Sequence, residues 1–450
     1  MGNQTFAGFC PLVMMFLLGC SIHFVKAQCV RDTYSSLPTA PVFPTSTLDA
    51  GLTPALSALV TGHWSEVAVM QRPVAVTPVS NPAQTNCPHL TGTFVDFHSL
   101  GFTNDGDVNI PANSRVLVSS CSIPSGVVFK KVTIPSTSEL IFGDASIHFQ
   151  AKAIHVAGGK LLIGSATCRL RNKVTITLHG ARPASVPSDV STKGIWSVDG
   201  TVEMHGALYT QTWTRLAKTI NPGDDLIFIQ DMVNWQPGQS IVVTTTEIKD
   251  SRDYNRNEER IISQVYRTLH TNVAAIRVTQ GFTYKHYGGR AYQAEVGLLS
   301  RNILVQGSAL DSEPTDTANA VCVSEGDSTY PCNDKYLTGY GVHMRMEGPA
   351  TVGRLSGVEY YRAGQTNFLG RYAIHFHQVG QSAEAGRMFV KDCSVHRSFF
   401  RAYAIHGTNN VIVSQNVGYD VIGHMYFLED VRFEVSQTHS LCICTTTKRY

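Results

Sequence analysis

The chain has few charged residues and almost no net charge. Asp, Glu, Lys and Arg make up 16% of its 450 residues, and 36 basic against 34 acidic residues leave a formal net charge of +2 at pH 7. Long charged helices and coiled coils need a much higher charged fraction. A near-neutral chain also lacks the basic surface expected of a nucleic-acid-binding protein. We therefore predict no nucleic-acid partner and little helix.

Long apolar runs are missing after the N-terminus. The run Phe9–Leu18 is shorter than the ~20 residues needed to span a bilayer. The small residues Gly19, Cys20 and Ser21 follow it, with a possible small-residue cleavage site near Ala27. This pattern predicts a secretory signal peptide over residues 1–27. An uncleaved anchor is the alternative, because Lys26 is the only cation before Arg31. We expect a secreted, extracellular protein with no transmembrane helix after the signal peptide.

The cysteines fit this compartment, because secretion permits disulfide bonds. The chain has 11 cysteines, and Cys10 and Cys20 belong to the predicted signal peptide. Cys322 and Cys332 bracket a short polar loop and are the predicted disulfide pair. Two free thiols are the alternative.

The chain is rich in turn-forming residues, with 37 glycines and 19 prolines among short Val, Ile and Thr runs. Runs of four to eight residues that end near Gly, Ser, Asp or Pro are typical of β-strands. Residues 28–63 show little periodicity and are predicted as a linker or N-terminal arm. Residues 247–262 carry the only helix-like pattern, and we expect a short exposed helix or loop there.

The second half of the chain repeats itself. Arg371-Tyr-Ala-Ile-His-Phe-His recurs as Ala402-Tyr-Ala-Ile-His-Gly. A loose period of about 20–30 residues with short strands is typical of a parallel β-helix, in which each rung buries its apolar face only by stacking. A β-sandwich is the alternative.

An ordered series of motifs then resembles a known family. Gly158-Gly159, Ile163-Gly164 and Ile176-Thr-Leu-His-Gly180 resemble the G8 (eight-glycine) domain. Lys193-Gly-Ile-Trp and Gly370-Arg-Tyr-Ala-Ile-His-Phe-His377 are similar to the β-helical region that follows it in fibrocystin-L and the cell-surface hyaluronidases. The resemblance implies an all-β fold, a right-handed parallel β-helix, with a G8 domain at residues 64–190 leading into stacked rungs at residues 191–430.

Three features depart from the family pattern. Gln239 stands where the family commonly has Asp, and Val431 replaces a glycine. Residues 431–450 are expected to be an atypical C-terminal tail, so that the chain resembles the front part of a longer β-helix. These departures make catalysis the less favoured interpretation.

Acid, base and cationic residues concentrate between residues 371 and 430. Residues two apart in a strand share a face, so His375 and His377 project together, and a neighbouring rung can bring His406 beside them. The predicted catalytic group is His375, His377, His406, Asp420, Glu429 and Asp430. The predicted substrate-binding group is Arg371, Arg397, Arg401, Tyr372 and Tyr403. Such a set suits proton transfer at a glycosidic bond and binding of uronate carboxylates.

Two other interpretations of the histidines stay open. They can form stacked polar ladders with a structural role, or two of them can join a carboxylate around a metal ion. Spacing fixes no third ligand, so the cofactor is undetermined, with calcium or another divalent metal as options. The acidic segment 250–259 is interpreted as a solvated loop.

Two functions fit these features. The first is a secreted or cell-surface protein that binds an extracellular, glycosaminoglycan-like polysaccharide such as hyaluronan, with depolymerisation of that polymer as an open question. The second is a non-catalytic adhesion, matrix or receptor-type module like fibrocystin-L.

Overall fold

The computed structural model describes residues 41–48, 86–247, 256–269, 272–289, 291–315, 321–323, 329–331, 338–380, 386–431, 435–438 and 441–443. The predicted signal peptide and most of the predicted linker lie outside these residues. Within them, the helices are two short 3-10 turns, Pro88–Leu90 and Phe97–Leu100. No helix in this part of the chain is long and apolar enough to cross a membrane. The all-β prediction is confirmed.

Three parallel sheets form the body of the molecule. Sheet 1 has nine strands, in the order β1 (Val95–Asp96), β3 (Arg115–Val118), β5 (Glu139–Phe142), β8 (Lys160–Ile163), β11 (Thr201–His205), β22 (Val352–Ser356), β25 (Met388–Lys391), β28 (Val411–Ser414) and β31 (Val435–Thr438). Sheet 2 has eight strands, in the order β2 (Asp107–Asn109), β4 (Lys131–Pro135), β7 (Ile154–Ala157), β10 (Gly194–Val198), β21 (His343–Glu347), β24 (Ile374–Gly380), β27 (Tyr403–Thr408) and β30 (Tyr426–Glu429). Sheet 3 has seven strands, in the order β6 (Ile147–Ala151), β9 (Val174–Leu178), β18 (Ile303–Gly307), β23 (Val358–Ala363), β26 (Ser394–Ser398), β29 (Val417–Val421) and β32 (Leu441–Ile443).

The chain visits the sheets in a fixed order, from sheet 2 to sheet 1 to sheet 3, and then starts the next coil. Strands β24, β25 and β26 make one such coil, and β27, β28 and β29 make the next. Each strand pairs in parallel with its equivalent in the neighbouring coil. Gly357, with φ at 70°, turns the chain between sheets 1 and 3, where a Cβ atom would lie 2.9 Å from the Ala207 carbonyl oxygen. The parallel β-helix prediction is therefore confirmed as to architecture.

Alternation along each strand separates core from surface. The inner face of sheet 2 carries Ile154, Ile195, Phe376 and Ile405, all of which are buried. The residues between them point away from the core, because the side-chain period of a strand is two. Burying one such large apolar side chain contributes about 1.5–3 kcal/mol to stability. The apolar positions therefore fix which residues remain on the outer face.

A six-stranded antiparallel sheet interrupts the coils between β11 and β18. This insert has the strand order β12 (Trp213–Arg215), β17 (Glu295–Leu298), β14 (Ser240–Val243), β15 (Glu258–Arg267), β16 (Ala274–Val278) and β13 (Leu226–Ile229). Val242 of the insert and Leu299 pack against Val417 and Tyr419 of sheet 3. The insert therefore covers part of the outer face of sheet 3.

Two expectations for this region need correction. Residues 191–430 are not an uninterrupted stack of rungs, because the insert lies among them. Residues 258–262 belong to strand β15 rather than to a short helix or loop, and the Glu258 carboxylate is buried against the imidazole of His286, 2.9 Å away.

The C-terminal region continues the coils. Strand β31 pairs with β28 in sheet 1, and β32 pairs with β29 in sheet 3. The region predicted as an atypical tail therefore adds strands to two sheets. Strands β19 (Val321–Val323) and β20 (Thr329–Pro331) form a separate antiparallel hairpin between β18 and β21.

Candidate functional site

The predicted histidines lie on the outer face of sheet 2, where they join polar residues from earlier coils. We call this surface the histidine face. Its residues all lie on strands of sheet 2 and point away from the core. Its members are His155, Trp196, Arg345, Glu347, His375, His377 and His406. The register pairs Glu347 with His377 and His377 with His406 across three consecutive coils. Inward neighbours such as Phe376 hold these positions outward.

The first half of the histidine face is a chain of aromatic and charged contacts. The ring of His155 stacks on the indole of Trp196. The Trp196 Nε1–H donates to Glu347 Oε1 at 2.7 Å, and the Arg345 guanidinium donates to Glu347 Oε2 at 2.6 Å. These four side chains are half-buried. They place an aromatic stack next to an ion pair.

The second half of the histidine face is a compact group of imidazoles. Nδ1 of His377 lies 3.1 Å from Nδ1 of His406, and the ring centroids of His375 and His377 are 4.8 Å apart. His375 is buried, and its Nδ1 lies 2.9 Å from the Gly370 carbonyl oxygen. His406 Nε2 lies 3.3 Å from Asp430 Oδ2. Three coils therefore deliver nitrogen and carboxylate groups to one point.

Burial and neighbouring charge keep the imidazoles of His375 and His377 neutral. Burial, followed by the Arg345 and His406 charges, lowers the pKa of His377 to about 4. Burial also holds the pKa of His375 well below its usual range. Neutral imidazoles offer lone pairs to a proton or a metal ion at pH 7.

The donor set favours a transition metal over calcium. Within the described part of the chain, His375, His377 and His406 form the group of at least three His, Cys, Asp or Glu residues with ligand atoms within 4.8 Å of one another. Imidazole nitrogens suit Zn, Cu, Ni and Fe ions, whereas calcium takes six to eight oxygen ligands.

Two predicted substrate-binding residues lie at the end of the histidine face. The Arg401 guanidinium donates to the Tyr372 hydroxyl at 2.8 Å and lies 3.5 Å from the ring centroid of Phe427. The Tyr372 ring is buried, 4.8 Å from that of His375. The structure therefore brings Arg401 and Tyr372 next to the histidines.

Arg371 and Tyr403 do not line this surface. Arg371 is buried, and its guanidinium donates to the carbonyl oxygens of Val190 and Pro187 at 3.0 and 2.8 Å. Tyr403 points into the core, where its hydroxyl donates to the Val417 carbonyl oxygen at 3.1 Å. Both residues serve the packing of the coils, which corrects their predicted substrate-binding role.

Asp420 and Arg397 belong to sheet 3 rather than sheet 2. Arg397 donates to Glu313 at 2.7 Å and to Asp420 at 3.3 Å, so the predicted acid and cation pair with each other on a different face. Glu429 aligns with His406 in the register of sheet 2 and is exposed. Asp430, and not Asp420, is the aspartate at the histidines.

Sequence reasoning missed the first half of the histidine face. His155, Arg345 and Glu347 alternate with apolar residues in their strands, a signal that marks them as outward. Trp196 stands between Ile195 and Ser197, so its strand carries no such signal. Their proximity to the histidines depends on stacking of distant coils. The predicted Cys322–Cys332 disulfide lies outside the described side chains. A disulfide that was not predicted joins Cys87 and Cys168.

Family models match two parts of the chain. The model described as G8 domain matches residues 101–217, and the model described as CEMIP beta-helix matches residues 339–449. The G8 match starts and ends later than the predicted boundaries of 64–190. The β-helix match includes most of the predicted tail and the strands that continue the coils there.

Several known proteins are similar over most of this chain. A G8 domain-containing protein of Dictyostelium discoideum is 35% identical over 378 residues, 81% of this chain and 30% of its own length. Fibrocystin-L of Homo sapiens is 29% identical over 395 residues, 82% of this chain and 9% of its own length. Among solved structures, the tailspike gp61 of Pseudomonas phage phi297 aligns with 72% of this chain and 41% of its own, at 8% identity and a TM-score of 0.20.

This chain spans less than a third of the length of the two curated relatives named here. The two family models match different parts of the chain, and the second of them lies within the parallel coils. The predicted resemblance is confirmed: the chain contains regions that match the G8 domain and the CEMIP beta-helix, and it is similar to G8 domain-containing proteins and to fibrocystin-L.

Proposed function

We propose that this protein is a secreted or cell-surface module that binds an extracellular polysaccharide along the histidine face. The observation that carries this proposal is the continuous outward row from His155 to His406, which crosses consecutive coils of sheet 2. Strands in a sheet are about 4.8 Å apart, so the row is roughly 20 Å long. We expect the coils to wind right-handed, as parallel crossover connections do.

The chemistry of this row suits an acidic sugar polymer. The half-buried Trp196 ring, stacked on His155, offers an apolar contact for a sugar. Arg401 has five N–H donors and directs one at Tyr372, so the others can pair with a uronate carboxylate. The chain has a net charge of only +2, so attraction to a polyanion must be local rather than general. Hyaluronan is the first polymer to test, because the family resemblance includes the cell-surface hyaluronidases.

Cleavage of the bound polymer is a second candidate function. The observation that favours it is a series of three neighbouring side chains. The Asp430 carboxylate lies beside the His406 imidazole, which in turn lies beside the His377 imidazole. The lowered pKa of His377 keeps its imidazole unprotonated at neutral pH, which is the form that a general base requires. Cleavage is a separate claim from binding and needs its own assay.

The binding test uses the purified full-length chain and hyaluronan oligosaccharides of defined length in titration calorimetry. We expect binding that strengthens with length until the oligosaccharide spans the row. Trp196→Ala and Arg401→Ala should each weaken binding about tenfold, the loss expected for an interface anchor. Tyr292→Ala is the matched control, because Tyr292 is an exposed ring on the insert. Equal affinity in all four proteins would refute binding at this face.

The cleavage test follows the length of size-defined hyaluronan and other glycosaminoglycans during incubation with the protein, with and without a chelator. Shortening that is lost in the His375→Ala/His377→Ala double variant supports cleavage. Unchanged chain lengths with the wild-type protein refute cleavage and leave the binding proposal standing. Binding without turnover would then match a non-catalytic adhesion or matrix module.

A further inference from the structure

We infer that His375, His377 and His406 form a three-histidine site for a divalent transition metal of the zinc type. The three side chains come from two neighbouring strands, β24 and β27, and their ligand atoms lie within 4.8 Å of one another. This inference goes beyond polysaccharide binding and does not depend on it.

The two ring nitrogens of His375 are arranged as in a metal-binding histidine: one contacts a carbonyl oxygen, and the other has no hydrogen-bond partner. Its Nδ1 lies 2.9 Å from the Gly370 carbonyl oxygen, an acceptor, so Nδ1 carries the proton and Nε2 carries the lone pair. That Nε2 atom is buried and has no hydrogen-bond partner. A buried polar atom without a partner is destabilising. Metal-bound histidines typically donate their second N–H to a carbonyl or carboxylate in the same way.

The distance between the Nδ1 atoms of His377 and His406 also fits a shared metal ion. Nδ1 of His377 and Nδ1 of His406 lie 3.1 Å apart. A zinc ion with Zn–N distances of about 2.0–2.1 Å and tetrahedral angles separates two ligand nitrogens by roughly 3.3 Å. The two Nδ1 atoms therefore already stand at the separation that a shared ion requires. The ligand atoms of all three histidines lie within 4.8 Å of one another, so the rings would have to move closer together to share one ion.

Asp430 supplies the supporting contact for His406. Its Oδ2 lies 3.3 Å from His406 Nε2, the nitrogen that would not bind the metal. A carboxylate at this position sets the tautomer so that Nδ1 carries the lone pair, and it raises the basicity of the ligand. Two of the three histidines thus have an acceptor on the nitrogen that faces away from the ion.

Three protein ligands leave a fourth position open. Tetrahedral sites with three protein ligands and one water are typical of catalytic zinc, whereas structural zinc sites are closed by four protein ligands. Arg345 lies close enough for its charge to act on His377, and Glu347 beside it balances that charge. Trp196 lies on the same outer face of sheet 2 as the three histidines. A sugar hydroxyl or carboxylate bound on this face would then be the candidate fourth ligand.

The test uses the full-length chain without an affinity tag, stripped with a chelator and titrated with Co²⁺ and then with Zn²⁺. We expect one Co²⁺ per chain, with the intense visible absorption of four-coordinate Co²⁺, and loss of that absorption when Zn²⁺ is added. His377→Ala and His406→Ala should each abolish the absorption. Asp430→Asn should weaken Co²⁺ binding about tenfold, as expected for a residue that supports a ligand.

His155→Ala and Trp196→Ala are the matched controls, because both change the same face without removing a proposed ligand. We expect both to keep one Co²⁺ per chain, even where polysaccharide binding is lost. Circular dichroism checks that each variant is folded, and His377 and His406 are suitable positions because their side chains are only half-buried. No Co²⁺ uptake by the wild type, or equal uptake by a His377→Ala/His406→Ala double variant, would overturn the metal site. Neither result bears on polysaccharide affinity.

Discussion

The imidazole of His155 lies parallel to the indole of Trp196, with ring centroids 4.4 Å apart and 8° between the planes. His155 is on β7 and Trp196 on β10, and Glu347, on β21, accepts a hydrogen bond from the indole. Three consecutive coils thus each contribute one side chain to a single contact series. The fluorescence of Trp196 should therefore respond to changes in the contacts between neighbouring coils at the histidine face.

We expect the fluorescence of Trp196 to fall on acidification. Burial, followed by the charge of Lys131, lowers the pKa of His155 below its usual value. A protonated imidazole quenches an indole in contact with it, so the midpoint should lie below the ordinary histidine pKa. The measurement is the emission difference between the wild type and Trp196→Phe as a function of pH. His155→Gln should remove the transition, and a transition that persists in this variant would assign the quenching to another group.

We expect the protein to lose stability between about pH 6.5 and pH 4, in part through His89. Burial, followed by the charge of His205, lowers the pKa of His89 to about 4. In this interval the unfolded chain binds a proton at His89 that the folded chain does not, so the free energy of unfolding falls as pH falls. The contribution is roughly 2–3 kcal/mol. Urea denaturation at several pH values measures it, and His89→Gln should flatten the dependence. An unchanged slope in His89→Gln would contradict the assignment.

Loss of the Cys87–Cys168 disulfide should destabilise the G8 region. The bond joins residues with a sequence separation of 81. Closing a loop of this length restricts the unfolded chain and contributes about 4 kcal/mol. Cys87→Ser, Cys168→Ser and the double variant should lose similar amounts in urea denaturation, because each breaks the same cross-link. If the stability loss of the double variant equals the sum of the losses of the two single variants, the cross-link is not their cause.

Replacing Lys193 by Met should destabilise the protein by about 3 kcal/mol or more. The Lys193 side chain is fully buried, and its Nζ donates to Asp311 Oδ1 at 2.5 Å and to the Gly180 carbonyl oxygen at 2.7 Å. Removing the cation leaves the Asp311 carboxylate without its buried partner. Thermal or urea denaturation measures the loss. Adding Asp311→Asn to Lys193→Met should recover part of it, whereas fully additive losses would argue against a coupled pair.

The alternation of side chains along a strand predicts which residues of the candidate site share a face. His375 and His377 share a face because they are two residues apart, and the structure has them on one face. The same rule separates Tyr403 from His406, which are three residues apart and point to opposite faces. Tyr403 was grouped with the site by its closeness in sequence alone. Outward positions at His155 and Glu347 follow from the same alternation in their own strands.

Other contacts of the site join residues from different coils. The local sequence pattern of a single strand does not predict such contacts. Asp420 and Asp430 are equally plausible acids from sequence spacing, but β29 is in sheet 3 and Asp430 follows β30 of sheet 2. Arg371 is buried because its guanidinium meets carbonyl oxygens of residues 187–190, far away in the chain. The pairing of Cys87 with Cys168 likewise joins distant segments.

The pattern of apolar residues predicts an all-β chain whose strands stack in short coils, and in most strands it also predicts which side chains point outward. These properties follow from the pleat of a strand and from the need of each coil to bury its apolar face. Only the folded chain shows that His377 contacts His406, that Trp196 lies between His155 and Glu347, and that the insert covers part of sheet 3. Those contacts depend on the register between coils, which is set by core packing and by the length of each turn rather than by any single strand.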